Sequence, residues 1–272
     1  MSTQTLIRKK SGIFRELNSI ITVAAREITT FLRSPGAAVM SLAMPIVMMG
    51  MIGGNLLQNM TGGITFEFGP FMLVGMLVNM LFMVTSMGMS SIVDDHDSDF
   101  NQVMLVSPVS RYSLVIGKIL GNAFAGIVSM AGTLIVGFVM GITLPFGKLM
   151  MILALSPLMC LTGGALAMLV IGLIKNRKTA DFAVNLIVMP QMFLSGAIIP
   201  VGSSGGVLMV LSRLMPMTYC LDLARAAVYS GTPEYDSVVM FNPAVNFAAI
   251  AVLTAVCLII GTFFFARSEK NR

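Results

Sequence analysis

The chain has 272 residues, 56% of them hydrophobic and 11% charged, with a mean hydropathy of +0.90 and 17 Lys and Arg against 12 Asp and Glu. Soluble domains carry roughly 25% charged residues, so this composition excludes one and makes lipid the solvent. Three scattered cysteines, Cys160, Cys220 and Cys257, have no metal spacing, and no disulfide framework is expected of them.

In chain order, Arg8, Lys9 and Lys10 are followed by no apolar core with a cleavage site, so no removable signal peptide is expected. Residues 13–33 place Ile13, Leu17, Ile20, Ala24, Ile28 and Phe31 at helical spacing, with Arg15, Ser19, Thr22, Arg26, Thr30 and Arg33 opposite. This pattern predicts an amphipathic helix in the cytoplasmic headgroup layer; a soluble helix packed on another protein has the same pattern.

Six windows then contain no charged residue: 34–66, 68–93, 119–147, 149–174, 182–212 and 237–266. Each can hold the roughly 20 apolar residues of a transmembrane helix, whose backbone satisfies its own hydrogen bonds. An all-α membrane protein is predicted, with six spans at 37–57, 70–93, 114–141, 149–174, 181–200 and 244–266. Pro45, Pro157 and Pro190 fall inside spans and are expected to kink or break them. Two GxxxG spacings, Gly117 with Gly121 and Gly137 with Gly141, predict a close helix neighbour for the third span.

The basic residues set the topology rather than marking a nucleic-acid surface. Arg8, Lys9, Lys10, Arg15, Arg26, Arg33, Arg111, Lys118, Lys175, Arg177, Lys178, Arg267, Lys270 and Arg272 are 14 of the 17, and all fall in alternate connections. Only Lys148, Arg213 and Arg225 remain for the other side, so both termini are expected in the cytoplasm. The division is a cytoplasmic segment 1–36, a membrane domain 37–266 and a cytoplasmic tail 267–272.

Of the 26 methionines, Met40, Met44, Met48 and Met51 line one face of the first span, and Met72, Met76, Met80, Met83 and Met87 one face of the second. Packing against lipid or helices, an adaptable substrate wall and a thioether path for Cu(I) all fit. The strongest polar groups in the spans are Asn79, Asn122, Asn185 and Gln191, whose expected role is bonding between helices. We take Met44, Met48, Met76, Asn79, Met80, Met83, Asn185 and Gln191 as the candidate substrate path. Without ionisable groups in the span cores, an ion-coupled carrier is disfavoured. Neither Gly117-Lys118 nor Gly147-Lys148 sits in a P-loop, so ATP must be handled by another subunit. The only histidine, His96, lies in the run Asp94, Asp95, His96, Asp97, Ser98, Asp99, which either holds a hard cation or is a solvated boundary that starts a short helix. No catalytic residue, metal or cofactor is assigned to this chain.

Three stretches carry a family resemblance: Ser107 to Arg111 followed by Gly117 and Lys118; Phe193, Leu194, Ser195 and Gly196 with Pro200; and Pro216 to Tyr219 with Asp222 and Arg225. On a six-helix frame with an amphipathic N-terminal helix, they resemble the ABC-2 type permeases, membrane subunits of ABC exporters related to daunorubicin and other multidrug efflux systems. The chain departs from that pattern at Ser98 and Asp99, where the family often has a Gly-Thr pair. The resemblance implies a half-transporter of a bacterial or archaeal plasma membrane. It would pair with a second permease copy, identical or paralogous, and dock nucleotide-binding ABC ATPase subunits that hold ATP and Mg. An amphipathic or lipid-like substrate would move outward. It also implies short re-entrant helices between the fifth and sixth spans, closing an outer gate of Phe193, Ser195, Gly196, Pro200, Pro216, Tyr219, Asp222 and Arg225, with Asp222 and Arg225 pairing at i, i+3. The coupling element would be 98–112: Phe100, Val103 and Met104 on one face of a short helix, Pro108 as its stop and Arg111 as a nearby cation. The alternative is a loop packed on the N-terminal helix. An ion-coupled carrier and a non-transporting membrane scaffold are the competing functional classes.

Cysteines placed at Thr65 and Ser237 are expected to react with an impermeant thiol reagent on intact cells. Labelling only after permeabilisation would reverse the topology.

Overall fold

A computed structural model describes residues 3–53, 66–93, 110–174, 176–198 and 206–270. Among them the regular structure is helical: α1 (Thr3–Arg33), α2 (Pro35–Met48) running into a π turn (Met49–Gly53), α3 (Phe68–Gly88), α4 (Arg111–Val139), α5 (Phe146–Ile171), α6 (Arg177–Leu194), α7 (Val207–Leu214), α8 (Pro216–Tyr229), the single turn α9 (Tyr235–Val238) and α10 (Pro243–Lys270).

Four segments are long and apolar enough to cross a membrane: Phe68–Val93, Arg111–Val139, Phe146–Ile171 and Tyr235–Arg267. Two bent pairs also qualify when each is taken together, α1 with α2 at 83° and α7 with α8 at 88°, so between four and six crossings are available. The sequence reading of 181–200 as a full span is not met on these terms. Its helix, α6, begins four residues and ends six residues earlier and contains Arg177, Lys178 and Asp181. The first span is likewise short in regular α-helix, loosening into the π turn just after Pro45. A proline there leaves its turn without one backbone donor, and a π turn is one accommodation. Pro157 and Pro190, by contrast, do not interrupt α5 and α6. At Pro157 the carbonyl that loses its partner is that of Leu153, and the Ser156 hydroxyl donates to it at 2.7 Å.

The arrangement centres on α3, which is 89% buried within its spanning window and packs against α4, α5, α6 and α8. Its hydrophobicity is not confined to one face, which is the pattern of a helix enclosed by others. Enclosure demands close approach. A Cβ at Gly75 would stand 1.9 Å from the Ala197 carbonyl oxygen, in the turn after α6. α10 lies at the edge, against α5 and α8, and turns Phe247, Val252, Ile259 and Phe263 outward. Large apolar side chains on an outer surface of this extent fit contact with lipid.

The close neighbour expected at Gly117 and Gly121 is α1. A Cβ at Gly117 would stand 2.8 Å from Val23 Cβ, and one at Gly121 would stand 2.4 Å from Glu27 Cβ. The same helix meets α2 at Gly132, where Leu42 is the neighbour. Groups assigned by sequence to the same side of the membrane also lie together. Glu67 N–H donates to the Glu234 carboxylate at 3.1 Å and Lys148 Nζ to the Ser230 carbonyl at 2.9 Å, whereas α1 meets the start of α4.

Gly75→Ala is expected to cost about 1–3 kcal/mol, because the obstructing atom is backbone. Gly147→Ala, where nothing lies within 4 Å, should be neutral or stabilising. Melting midpoints of the two detergent-solubilised variants check this; equal midpoints would contradict the close approach.

Candidate functional site

Three helices bring their methionines to one place. Met40, Met44 and Met48 of α2, Met80, Met83 and Met87 of α3, and Met189 and Met192 of α6 line a cavity of about 230 Å³ with Ser41, Val84 and Ser129. Spacings of three and four residues put each set on one helical face. The two methionine stripes seen in the sequence therefore converge, though not over their whole length. Met72 and Met76 are buried in the core around α3, and Met51 is exposed beyond the cavity. Of the candidate substrate-path residues, Met44, Met48, Met80 and Met83 line the cavity, while Met76, Asn79, Asn185 and Gln191 do not. Met189 and Met192, the third wall, were missed because only two methionines separated by Pro190 and Gln191 make no visible stripe. No lining residue is charged, and only two carry a hydroxyl. An apolar, polarizable wall of this kind suits hydrocarbon of varied shape.

A second cluster sits where α6 ends against α3 and α8. α6 closes at Ser195, and Gly196 adopts φ +82°, the left-handed conformation that suits glycine after a helix. Arg225 of α8, 3% exposed, donates to the Gly196 carbonyl at 2.8 Å and lies over the Phe71 ring of α3 at 3.6 Å. One guanidinium thus joins three segments through a charge-assisted hydrogen bond and a cation–π contact. The expected pairing of Arg225 with Asp222 does not occur. Asp222 instead accepts from the N–H groups of Met240 and Phe241, at 2.7 and 2.8 Å, and from Asn246 Nδ2 at 2.8 Å, tying α8 to the start of α10. At i, i+3 the two side chains share a side of the helix, but three ready donors outcompete a single cation for the carboxylate.

The amides expected to bond between helices divide. Gln191 accepts from Met217 N–H at 3.3 Å and Asn79 Nδ2 lies 3.8 Å from Met217 Sδ, so both reach the start of α8. Asn185 bonds only the Asp181 carbonyl of its own helix. Pro216 opens α8, and Tyr219 donates to the Arg213 carbonyl at 2.7 Å and stacks on Phe241. Phe193 is exposed, while Ser195 is buried. Among the described residues, Arg225 Nε and the hydroxyls of Ser195 and Tyr229 have no hydrogen-bond partner, so this junction carries polar groups that a rearrangement could satisfy. Pro200 of the candidate gate, and Phe100, Val103, Met104 and Pro108 of the candidate coupling element, lie outside the described residues. Arg111 is the first residue of α4, immediately after the N-cap Ser110.

A third constellation was not foreseen. Lys118, read as the margin of a connection, is two turns inside α4 and fully buried; its Nζ sits 3.1 Å from Glu27 Oε1 and donates to Ser91 Oγ at 2.7 Å. Glu16 accepts from Ser110 N–H at 3.2 Å and from the Ser113 hydroxyl. The available signal was Lys118 itself, a cation enclosed by the Gly117/Gly121 contact, with two glutamates 11 residues apart on α1, three helical turns and hence one face.

Arg225→Lys keeps the charge but loses the planar stack on Phe71, and is expected to cost about 2 kcal/mol. Arg33→Lys, on an exposed position of α1, should leave the melting midpoint unchanged. Equal midpoints for the two would remove Arg225 from the junction.

The comparisons with known proteins agree on one family. The ABC-2 type transporter profile matches residues 18–229. Nodulation protein J of Rhizobium meliloti (strain 1021) is 30% identical over 135 residues, 48% of this chain and 50% of that protein, so the alignment spans about half its length. Nodulation protein J of Neorhizobium galegae is 25% identical over 210 residues, 75% of this chain and 78% of the relative, and that of Sinorhizobium fredii (strain NBRC 101917 / NGR234) is 28% identical over 127 residues, 46% and 47%. With most of its length matched and its helices long and apolar enough to cross a bilayer, the chain belongs to the ABC-2 type transporter family of integral membrane permeases.

Proposed function

We propose that this chain is the membrane half of an ATP-driven exporter that moves an amphipathic or lipid-like substrate outward past the methionine-lined cavity. The observation that carries the reading is the cavity: about 230 Å³, walled by eight methionines from three helices, without a charged residue. Engineered apolar cavities smaller than this bind benzene-sized ligands. An energy source on the chain is neither visible nor required, since a separate nucleotide-binding subunit would hydrolyse ATP and hold the Mg. Phe100, Val103, Met104, Pro108 and Arg111 would receive that subunit beneath the membrane, with both termini on the same side. Two permease copies would enclose the path. The junction of Gly196 with Arg225, with Phe193, Pro200, Pro216 and Tyr219 around it, would close the outer end, where the bend between α7 and α8 suits a re-entrant pair.

The test is the complex in lipid nanodiscs. An ABC ATPase should copurify, and its hydrolysis should rise severalfold with a lysophospholipid and not with the free headgroup. Met83→Glu puts a charge in the apolar wall and should abolish that rise while leaving the ATPase bound. Stimulation by the headgroup alone, or undiminished stimulation of the variant, would refute the apolar path.

A further inference from the structure

We infer that Ser129 makes the methionine cavity selective for a substrate that carries an uncharged carbonyl oxygen beside its hydrocarbon, as an acyl ester does, over the same molecule without one. The inference rests on the apolar-path reading above and names the polar feature that such a substrate would need. Ser129 is fully buried and is the one lining residue of the cavity that α4 contributes. Among the described residues its Oγ has no hydrogen-bond partner. Other buried hydroxyls of the spans are spent on their own helices: Ser86 donates to the Phe82 carbonyl at 2.7 Å, Thr133 to that of Ser129 at 3.0 Å, Ser156 to that of Leu153 at 2.7 Å and Thr162 to that of Leu158 at 2.9 Å. The second hydroxyl of the cavity is spent in the same way, Ser41 donating to the Ala38 carbonyl at 2.8 Å. Ser129 alone among the lining residues therefore keeps a strong donor in reserve.

Two glycines fix where that donor stands. A Cβ at Gly126 would lie 3.4 Å from the Leu81 carbonyl oxygen of α3, and one at Gly132 would lie 3.1 Å from the Leu42 side chain of α2. Ser129 is three residues from each, so it sits on the face of α4 that closes the gap between α2 and α3, the helices that carry six of the eight lining methionines. A buried hydroxyl without a partner costs free energy, and thioethers are weak acceptors that do little to offset it. A ligand acceptor would offset it. The acceptor has to be uncharged, because no lining residue could neutralise a carboxylate. A carbonyl fits better than a hydroxyl, since it takes the Ser129 proton and brings no second proton in need of a partner. The hydrocarbon next to it then lies among the methionines, where shape is tolerated and polarity is not.

The experiment uses the full chain in nanodiscs of ether-linked phospholipid, which contributes no carbonyl of its own. A fluorescent lysophospholipid is displaced by palmitoyl lysophosphatidylcholine or by its hexadecyl ether, which differ in one carbonyl, and the ratio of the two affinities is compared between variants so that partitioning into the disc cancels. The parent is expected to bind the ester about three- to tenfold more tightly than the ether, the range of one neutral hydrogen bond, and Ser129→Ala should bring the ratio to about one by weakening the ester alone. The melting midpoint of Ser129→Ala should hold or rise, because the change removes a hydroxyl that has no partner. Ser86→Ala, whose hydroxyl is spent on Phe82 outside the cavity, should keep the parent's ratio. A parent ratio of one, or a ratio that survives Ser129→Ala, overturns the inference and leaves the apolar path standing. Loss of the ratio together with a fall in the melting midpoint, or its loss in Ser86→Ala as well, assigns the effect to packing and overturns it too. If the parent binds neither lipid, or Met83→Glu binds both as the parent does, the apolar path itself fails and the inference falls with it.

Discussion

Helices in lipid gain little from hiding apolar surface from one another, because the acyl chains are as apolar as leucine; they are held by dispersion at short range and by the few polar contacts they can make. That constraint shapes the whole molecule. α3 can be surrounded by four helices only because its neighbours come within backbone distance at Gly75, and because α5 crosses it at Gly163, where an added Cβ would stand 2.7 Å from the Phe82 carbonyl oxygen. Each close approach adds many weak contacts that no longer side chain could make. The long side chains are displaced to where helices diverge, and the methionines of α2, α3 and α6 meet in such a divergence.

Polarity is distributed by the same logic. Carboxylates and cations concentrate at the two ends of the bundle, and each buried one is answered: Lys118 by Glu27 and Ser91, Asp222 by three N–H donors, Arg225 by a carbonyl and an aromatic face. Burying a charge without such partners costs far more than one hydrogen bond returns. The methionine-lined cavity between α2, α3 and α6 is correspondingly without a charged residue.

The sequence made the helical class legible because charge-free windows and lipid thickness leave little choice, and it made the third helix's close neighbour legible because GxxxG names a geometry. It did not identify α1 as that neighbour, because the residues that fasten it, Glu27 to Lys118 and Glu16 to Ser110 and Ser113, lie far apart in the chain and show no common pattern. The methionine stripes were visible on α2 and α3, but periodicity gives a face and not what it faces, so the split between Met72 and Met76 in the core and Met80, Met83 and Met87 at the cavity required the packing. Asp222 and Arg225 show the same limit: i, i+3 spacing permits a pair, and the donors of Met240, Phe241 and Asn246, 18 to 24 residues away in the chain, decided otherwise.

Among the described residues, those that line the methionine cavity carry no ionisable group, and the buried charges lie elsewhere in the bundle. The structure offers two ends of unlike construction. At the end of α6, a single buried cation spans three segments and several polar groups stay without hydrogen-bond partners. At the start of α4, a long helix is fastened by a buried ion pair and a carboxylate that takes two donors. One end is thus fastened by paired charges while the other keeps polar groups without hydrogen-bond partners, and packed interiors of this kind switch between discrete arrangements rather than bend continuously.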